Sequence, residues 1–292
     1  MIKVLETIKQ LRNGDYHILN SIERGMKKYQ YVPLSAIFTY SGYTKEDVNF
    51  YLNRLLNYKL IEMQKNKFIG YKLKMDGYDC LALNALIKAD IIEAFGNKLG
   101  VGKEADVYDV LLSNSKERAA VKIHRIGKTS FHNVRRYRNY IEDRRHISWL
   151  YISRLSASKE FEALKILHKG GLPVPRPIFH NRHIIVMSFM NGKLLANINY
   201  LKTPNKVLNK ILDFIYLAFK NFNIIHSDLS EFNIMILNEQ KLLIFDFPQW
   251  ISADHPQYLF YLKRDIFNIL NFFRRKFNII IDKKEIFDKF EI

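Results

Sequence analysis

Four polar residues, set at fixed intervals along apolar segments, constrain this chain more than any other feature. Lys122 interrupts Ala119-Ala120-Val121-Lys122-Ile123, a short apolar run with strand character. A lysine buried there without a partner is costly, so it must meet an acid or a phosphate. Far downstream, a helical apolar pattern through Val207, Ile211, Ile215, Phe219 and Phe222 leads into Ile224-Ile225-His226-Ser227-Asp228-Leu229-Ser230-Glu231-Phe232-Asn233. Two short strands are predicted next, Ile234 to Leu237 and Leu242 to Phe245, around a Glu239-Gln240-Lys241 turn, and Asp246 follows the second. Asp228 precedes Asn233 by five positions, and Asn233 precedes Asp246 by thirteen. With 48% hydrophobic and 14% aromatic residues, the chain can bury the cores that such long-range convergence needs, which excludes disordered and fibrous classes.

The residue types describe a phosphate-handling site. Mg²⁺ is a hard cation that takes oxygen ligands and shares them with substrate phosphates. Asn233 and Asp246 supply an amide oxygen and a carboxylate, with Mn²⁺ as an alternative metal. Asp228 is placed to orient and deprotonate an attacking hydroxyl or water. Upstream, Gly100-Val101-Gly102 opens a loop between predicted strands, where glycines let a backbone approach phosphates; an ordinary turn reads the same in isolation. Val107 follows that loop, and Lys122 comes fourteen positions after Tyr108. A helix is predicted over Ser148 to His168, with Glu160 the acid for Lys122 and Glu162 its rival. Gly170-Gly171 ends it. A buried strand over Ile184 to Met190 then runs into Asn191-Gly192. The order of these parts is that of a protein kinase: glycine loop, strand lysine, helix acid, H-x-D-x-x-x-x-N loop, and an Asp after a hairpin. In that frame Met187 is the gatekeeper, the backbone of Ser188 and Met190 reads the adenine of ATP, and His226 is structural.

Residues 1 to 90 read differently. Ile2, Leu5, Ile8 and Leu11 mark one helical face, a second helix is predicted over Tyr16 to Lys28, and a third from Leu34 to Thr39. Thr44 caps a fourth, with Asp47 three positions on. Leu60 to Met63 and Phe68 to Leu73 form a hairpin around Gln64-Lys65-Asn66-Lys67, and a helix over Tyr78 to Lys88 follows. This is a winged helix-turn-helix pattern, with Thr44 to Asn57 as recognition helix; a docking module that never enters a groove is the other reading. The expected fold class is therefore α+β: a winged helix-turn-helix domain over 1–90, then a bilobal kinase-like domain over 91–292. Its N-lobe is expected over about 91–187, its hinge over 188–192 and its C-lobe over 193–292.

Charge points to polyanions. The formal net charge is +17 and the pI about 9.7. The stretch from His124 to His146 carries Arg125, Lys128, Arg135, Arg136, Arg138, Arg144 and Arg145, interleaved with Tyr137 and Tyr140. Arginines and rings together suit RNA phosphates and unstacked bases. Arg274-Arg275-Lys276 adds a later cluster, equally explained by a helix end. Cys80 is the single cysteine, which excludes a disulfide scaffold and a four-thiolate zinc site and fits a cytoplasmic setting. No apolar run nears the roughly 18 residues of a membrane span. Lys3, Glu6, Lys9 and Arg12 interrupt the first apolar residues, so no leader is expected.

The segments Gly-Val-Gly-Lys-Glu-Ala-Asp-Val-Tyr (100–108), Ser-Trp-Leu-Tyr-Ile-Ser-Arg-Leu (148–155) and Asp-Phe-Pro-Gln (246–249) resemble the RIO family of atypical kinases. The winged helix and Gly127-Lys128-Thr129-Ser130-Phe131 resemble its RIO kinase 2 subfamily. The resemblance implies a Mg-ATP-dependent serine/threonine kinase or ATPase acting in maturation of the small ribosomal subunit. It also implies a pre-small-subunit particle and its rRNA as partner, and an aspartyl-phosphate at Asp246. Departures accompany it. Ala105 replaces the third loop glycine of ordinary kinases, Ser227 stands where the subfamily usually has glycine, and Ser188 where its hinge usually has an acid. Ser230 occupies the place of a lysine near the transferred phosphate, Pro248 follows Asp246-Phe247, and no A-P-E motif appears. Two other classes stay open: a small-molecule phosphotransferase of the aminoglycoside-kinase type, and a catalytically inactive nucleic-acid-binding adaptor.

Overall fold

A computed structural model describes residues 1–101, 104–126, 149–238, 241–280 and 282–292. Gly102 and most of the arginine-rich stretch, 127–148, lie outside the described residues. The first unit runs α1 (Ile2–Ile8), α2 (Asn13–Gly25), β1 (Val32–Pro33), α3 (Leu34–Ser41), α4 (Lys45–Asn57), β2 (Ile61–Gln64), β3 (Gly70–Leu73) and α5 (Met75–Lys88). Its three strands pair antiparallel in the order β1-β3-β2, which gives a winged helix. The Thr44 hydroxyl accepts the Asp47 amide at 3.2 Å and donates to the Asp47 carboxylate at 2.8 Å, fixing the start of α4.

Two predicted boundaries move for steric reasons. Helix α2 ends at Gly25 rather than Lys28, at the point where Val32 packs so closely that a Cβ at 25 would lie 2.4 Å from its Cγ1. Helix α5 starts at Met75 rather than Tyr78, its first turn pressed onto the Leu60 carbonyl, 2.4 Å from where a Gly77 Cβ would stand.

The second unit opens with a five-stranded antiparallel sheet: β4 (Ile92–Val101), β5 (Ala105–Leu112), β6 (Arg118–His124), β7 (Pro177–Asn181) and β8 (Ile184–Ser188), in the order β4-β5-β6-β8-β7. Helix α6 (Trp149–Lys169) packs on it. Successive side chains of a strand point to opposite faces, and here both faces are covered. Ala119, Val121 and Ile123 of β6, with Ile184 and Val186 of β8, join the core of the winged helix. Ala120 of β6, with Ile185 and Met187 of β8, joins the core of the C-lobe. Lys122 shares the face of Ala120, and this alternation aims its ammonium at α6 and the C-lobe.

That lobe contains β9 (Lys193–Leu194), a 3₁₀ turn at Leu195–Asn197, α7 (Pro204–Phe222), β10 (Ile234–Asn238), β11 (Lys241–Ile244), α8 (Tyr258–Phe277) and α9 (Lys283–Phe290). The β10–β11 hairpin pairs with β9. Helix α7 buries Val207, Leu208, Ile211, Leu212, Phe214, Ile215 and Ala218, the spacing of one helical face. No helix among the described residues is long and apolar enough to cross a membrane.

Candidate active site

Strand β6 delivers Lys122 to a cleft between the lobes, and three carboxylate oxygens receive it. Its Nζ donates to Glu160 Oε1 at 2.7 Å, to Glu160 Oε2 at 2.6 Å and to Asp246 Oδ1 at 2.5 Å. Glu160 comes from the buried stripe of α6, between Ala157 and Ala163, whereas Glu162 is exposed on the other side of that helix. Burial alone would lower the Lys122 pKa, but Asp246 and Glu160 outweigh it and hold the ammonium charged above its ordinary range. Burial alone would raise the Asp246 carboxyl, but the same ammonium holds it below the usual carboxylate range. His124 Nε2 lies 3.0 Å from Glu160 Oε2 without the alignment of a hydrogen bond.

Asp246 leaves β11 with a φ of 73°, in the left-handed region that a non-glycine residue enters at some cost. Its second oxygen, Oδ2, accepts from Asn233 Nδ2 at 3.4 Å, and Asn233 Oδ1 accepts the Ser230 hydroxyl at 2.9 Å. The amide here turns its N–H₂ to the carboxylate; rotated to present its oxygen, the same pair supplies two hard donors to a cation that completes its shell with phosphate oxygens and water. Among the described residues no group of three or more His, Cys, Asp and Glu could hold a metal unaided.

Asp228 stands apart, at the rim, with its side chain 66% exposed and 3.9 Å from Arg264. Its loop is fixed from below. Asp265 of α8, buried, accepts the amides of Ser227 at 2.7 Å and Leu229 at 3.0 Å. Burial pushes the Asp265 carboxyl up to about 7, against those two donors. Ser227 adopts a φ of 62°, its hydroxyl donates to the Gln249 carbonyl at 2.6 Å, and Arg264 donates to its carbonyl. A glycine would take that φ without strain; the serine is held by these bonds instead. His226 is buried, its Nε2 donating to the Phe245 carbonyl at 3.1 Å and its ring centroid 4.5 Å from that of Phe247. Burial lowers its pKa, which favours the neutral ring.

The remaining candidates border this cleft. Val107 is the cross-strand neighbour of both Gly100 and Lys122, and Met187 that of Ala120. At Ser188, the last residue of β8, the backbone N–H donates to the Arg176 carbonyl at 2.9 Å. Met190 is half-buried just beyond β8, and Val101 closes β4. Asp265 escaped the reading of the residues, although a signal existed. It shares the buried face of Leu262, Ile266 and Ile269 on α8, and an acid inside an apolar stripe needs partners.

In the winged helix, Arg54 of α4 turns away from solvent-facing contacts. It donates to Asp15 Oδ1 and Oδ2, both at 3.1 Å, and to the Gln10 carbonyl at 3.2 Å. The exposed face of α4 is left with Lys45, Glu46, Asp47, Asn49, Phe50, Asn53 and Asn57.

A two-lobed fold with a strand lysine, a helix glutamate and an Asn–Asp corner, preceded by a winged helix, defines a protein-kinase-like nucleotide-site architecture with an appended module. Comparisons with known proteins narrow that class. Residues 106–286 match the family model described as the RIO domain, and residues 8–89 match that described as Rio2, N-terminal. The chain is 41% identical to the RIO-type serine/threonine-protein kinase Rio2 of Methanocaldococcus jannaschii, over 86% of this chain and 92% of that one. It is 37% identical to the serine/threonine-protein kinase rio2 of Dictyostelium discoideum, over 94% of this chain but 52% of that one. The chain thus spans about half the length of some curated relatives it matches. A crystal structure of the Rio2 kinase–ADP/Mg²⁺–phosphoaspartate complex from Chaetomium thermophilum superposes with a TM-score of 0.81 at 32% identity, covering 95% of this chain and 85% of that one. The chain belongs to the RIO family, in its Rio2 branch.

Proposed function

We propose that this chain is a Mg-ATP-dependent atypical kinase and ATPase, with residues 1–90 as its winged-helix domain and 91–292 as its catalytic domain. The observation that carries the reading is the continuous set Glu160–Lys122–Asp246–Asn233, linked at 2.6, 2.5 and 3.4 Å across two lobes. Lys122, fixed by Glu160, balances charge on the ATP phosphates. Gly100, Val101, Gly102 and Val107 border those phosphates, while Met187, Ser188 and Met190 line the base. Asn233 and Asp246 hold Mg²⁺, which when bound neutralises phosphate charge. The protein's own work is positioning and electrostatics.

Asp246 is also the proposed phosphoryl acceptor, a role supported by the phosphoaspartate of the Chaetomium thermophilum relative. A carboxylate oxygen of Asp246 attacks the γ-phosphorus, the bond to the β–γ bridging oxygen breaks, and ADP leaves with that electron pair. A water then attacks the acyl-phosphate phosphorus while Asp228 takes its proton, which releases phosphate and restores Asp246. Asp228 suits this second step because its side chain faces solvent, where water arrives.

With γ-labelled ATP, the wild type is expected to retain a hydroxylamine-labile label in single turnover. Asp246→Asn should retain none. Asp228→Asn should keep the label yet release phosphate about 10²-fold more slowly, the scale of a lost general base. Turnover at the wild-type rate in both variants would defeat the assignment.

The partner is proposed to be the precursor of the small ribosomal subunit, recognised through its rRNA. The charge of +17, the arginine-rich stretch and family membership support this. Co-sedimentation with small-subunit precursors at rising salt tests it; binding indifferent to salt counts against an RNA contact.

A further inference from the structure

The winged helix does more than sit beside the nucleotide cleft. Asp79 of α5 is fully buried, and each of its oxygens is occupied from the other unit. Oδ1 accepts from His183 Nε2 at 2.7 Å, and Oδ2 accepts from Arg125 Nη2 at 2.6 Å. His183 is itself buried, stacked on Tyr78 of the same helix with ring centroids 4.7 Å apart. Arg125 then reaches the other way: its Nε donates to Asp106 Oδ2 at 2.9 Å, and its backbone N–H donates to the Glu104 carbonyl at 2.7 Å. The remaining Asp106 oxygen, Oδ1, lies 2.7 Å from Lys98 Nζ on the facing strand. A continuous chain of charge, Asp79–Arg125–Asp106–Lys98, therefore runs from the core of the winged helix into both arms of the β4–β5 hairpin.

Its placement matters because of what the hairpin carries. Lys98 and Asp106 flank Gly100, Val101 and Gly102, and the next inward residue of β5, Val107, is the neighbour of Lys122. A guanidinium that donates from two different nitrogens to two carboxylates, one charge-assisted bond to each, constrains orientation as well as distance. Buried ion pairs of this kind bring little net stability, but removing one member leaves a charge without a partner. Such a device suits registry better than bulk stability.

We propose that Asp79 and Arg125 are positioning residues for the nucleotide: the winged helix holds the phosphate-facing hairpin in register through them. The proposal rests on the reading of that hairpin as the phosphate loop. A second interdomain clamp provides the control. Arg182 donates to Glu23 Oε2 at 2.6 Å and to Asn20 Oδ1 at 2.9 Å, far along the chain from the hairpin.

The test uses the full chain, with ADP and Mg²⁺ as probe and two readouts. Asp79→Asn is expected to raise the KM for ATP and the Kd for ADP about tenfold or more, with kcat changed far less, and to accelerate amide hydrogen exchange across 98–108 without nucleotide. Arg182→Gln should lower the unfolding midpoint while leaving ADP affinity and hairpin exchange as in wild type. Asp106→Asn, whose side chain is 18% exposed, cuts the same chain from its outer end and serves if the buried variant does not fold. The double variant Asp79→Asn/Asp106→Asn should be no weaker for ADP than the worse single one. Unchanged exchange in the 98–108 segment overturns the relay. Faster exchange with wild-type ADP affinity overturns instead the reading of the hairpin as the phosphate loop.

Discussion

Asp265 holds the amides on either side of Asp228, and its own titration follows from where it is buried. Its carboxyl is raised from 3.8 to about 7, so the sign of the linkage is fixed. Between those values the folded chain keeps a proton that the unfolded chain has released, and stability falls as pH rises. The contribution is complete below about pH 4 and is lost as pH passes through 7. Asp265→Asn removes this titration and also turns an amide N–H₂ toward a backbone donor, leaving that donor unmatched at a cost of about 1–3 kcal/mol. Denaturant unfolding should therefore show wild type exceeding the variant by more at pH 5 than at pH 8. A gap that does not change with pH would mean that Asp265 is ionised throughout. Lys122→Met tests the neighbouring cluster. It leaves Glu160 buried without its cation, and the unfolding free energy should drop by about 3–5 kcal/mol.

At the scale of elements, close approach decides more than propensity. Helix α5 carries Asp79 because its first turn can press onto the Leu60 carbonyl, and only glycine at 77 permits that. Gly77→Ala should cost about 1–3 kcal/mol through overpacking, read as a lower urea midpoint at unchanged slope; an unchanged midpoint would mean that the turn yields freely. The same elements show what a sequence discloses. The Thr44 cap and the apolar face of α7 were legible because their cause is local, a capping pair and a 3.6-residue period. The interval from Asp228 to Asp246 was legible because a loop and a hairpin have fixed lengths. The face on which Lys122 emerges was not, since β6 is apolar on both sides and only the flanking cores distinguish them. Nor was the Asp79–Arg125–Asp106 chain, whose members are far apart in sequence and follow no period. Asp265 lay between: its intrusion into an apolar stripe was visible, its partners were not.

Across the whole molecule, the charge of +17 is unevenly available. Helix α4 commits Arg54 to Asp15 and carries Glu46 and Asp47 beside Lys45 in its first turn, so its exposed face offers little to a phosphate backbone. The two ends of the small sheet differ. Lys27 and Lys28 follow α2 with exposed Tyr29, and Lys65 and Lys67 stand in the β2–β3 turn with exposed Phe68 and Ile69. The antiparallel register of β1 with β3, Val32 opposite Tyr71 and Pro33 opposite Gly70, sets these two segments at opposite ends of the small sheet, as two separate basic contacts. Cations beside exposed rings can both neutralise phosphates and stack on bases. If rRNA is the partner, these two segments rather than the helix make the contact, and each neutralised phosphate adds to the salt dependence. Replacing Lys27, Lys28, Lys65 and Lys67 by Gln should weaken binding to a small-subunit rRNA fragment. It should also flatten the slope of log affinity against log salt by about 1–3. Asn49→Ala with Asn53→Ala on α4 should leave both unchanged, because these positions neutralise nothing. The opposite pattern, a flat response to the lysines and a loss on α4, would restore groove reading by the helix.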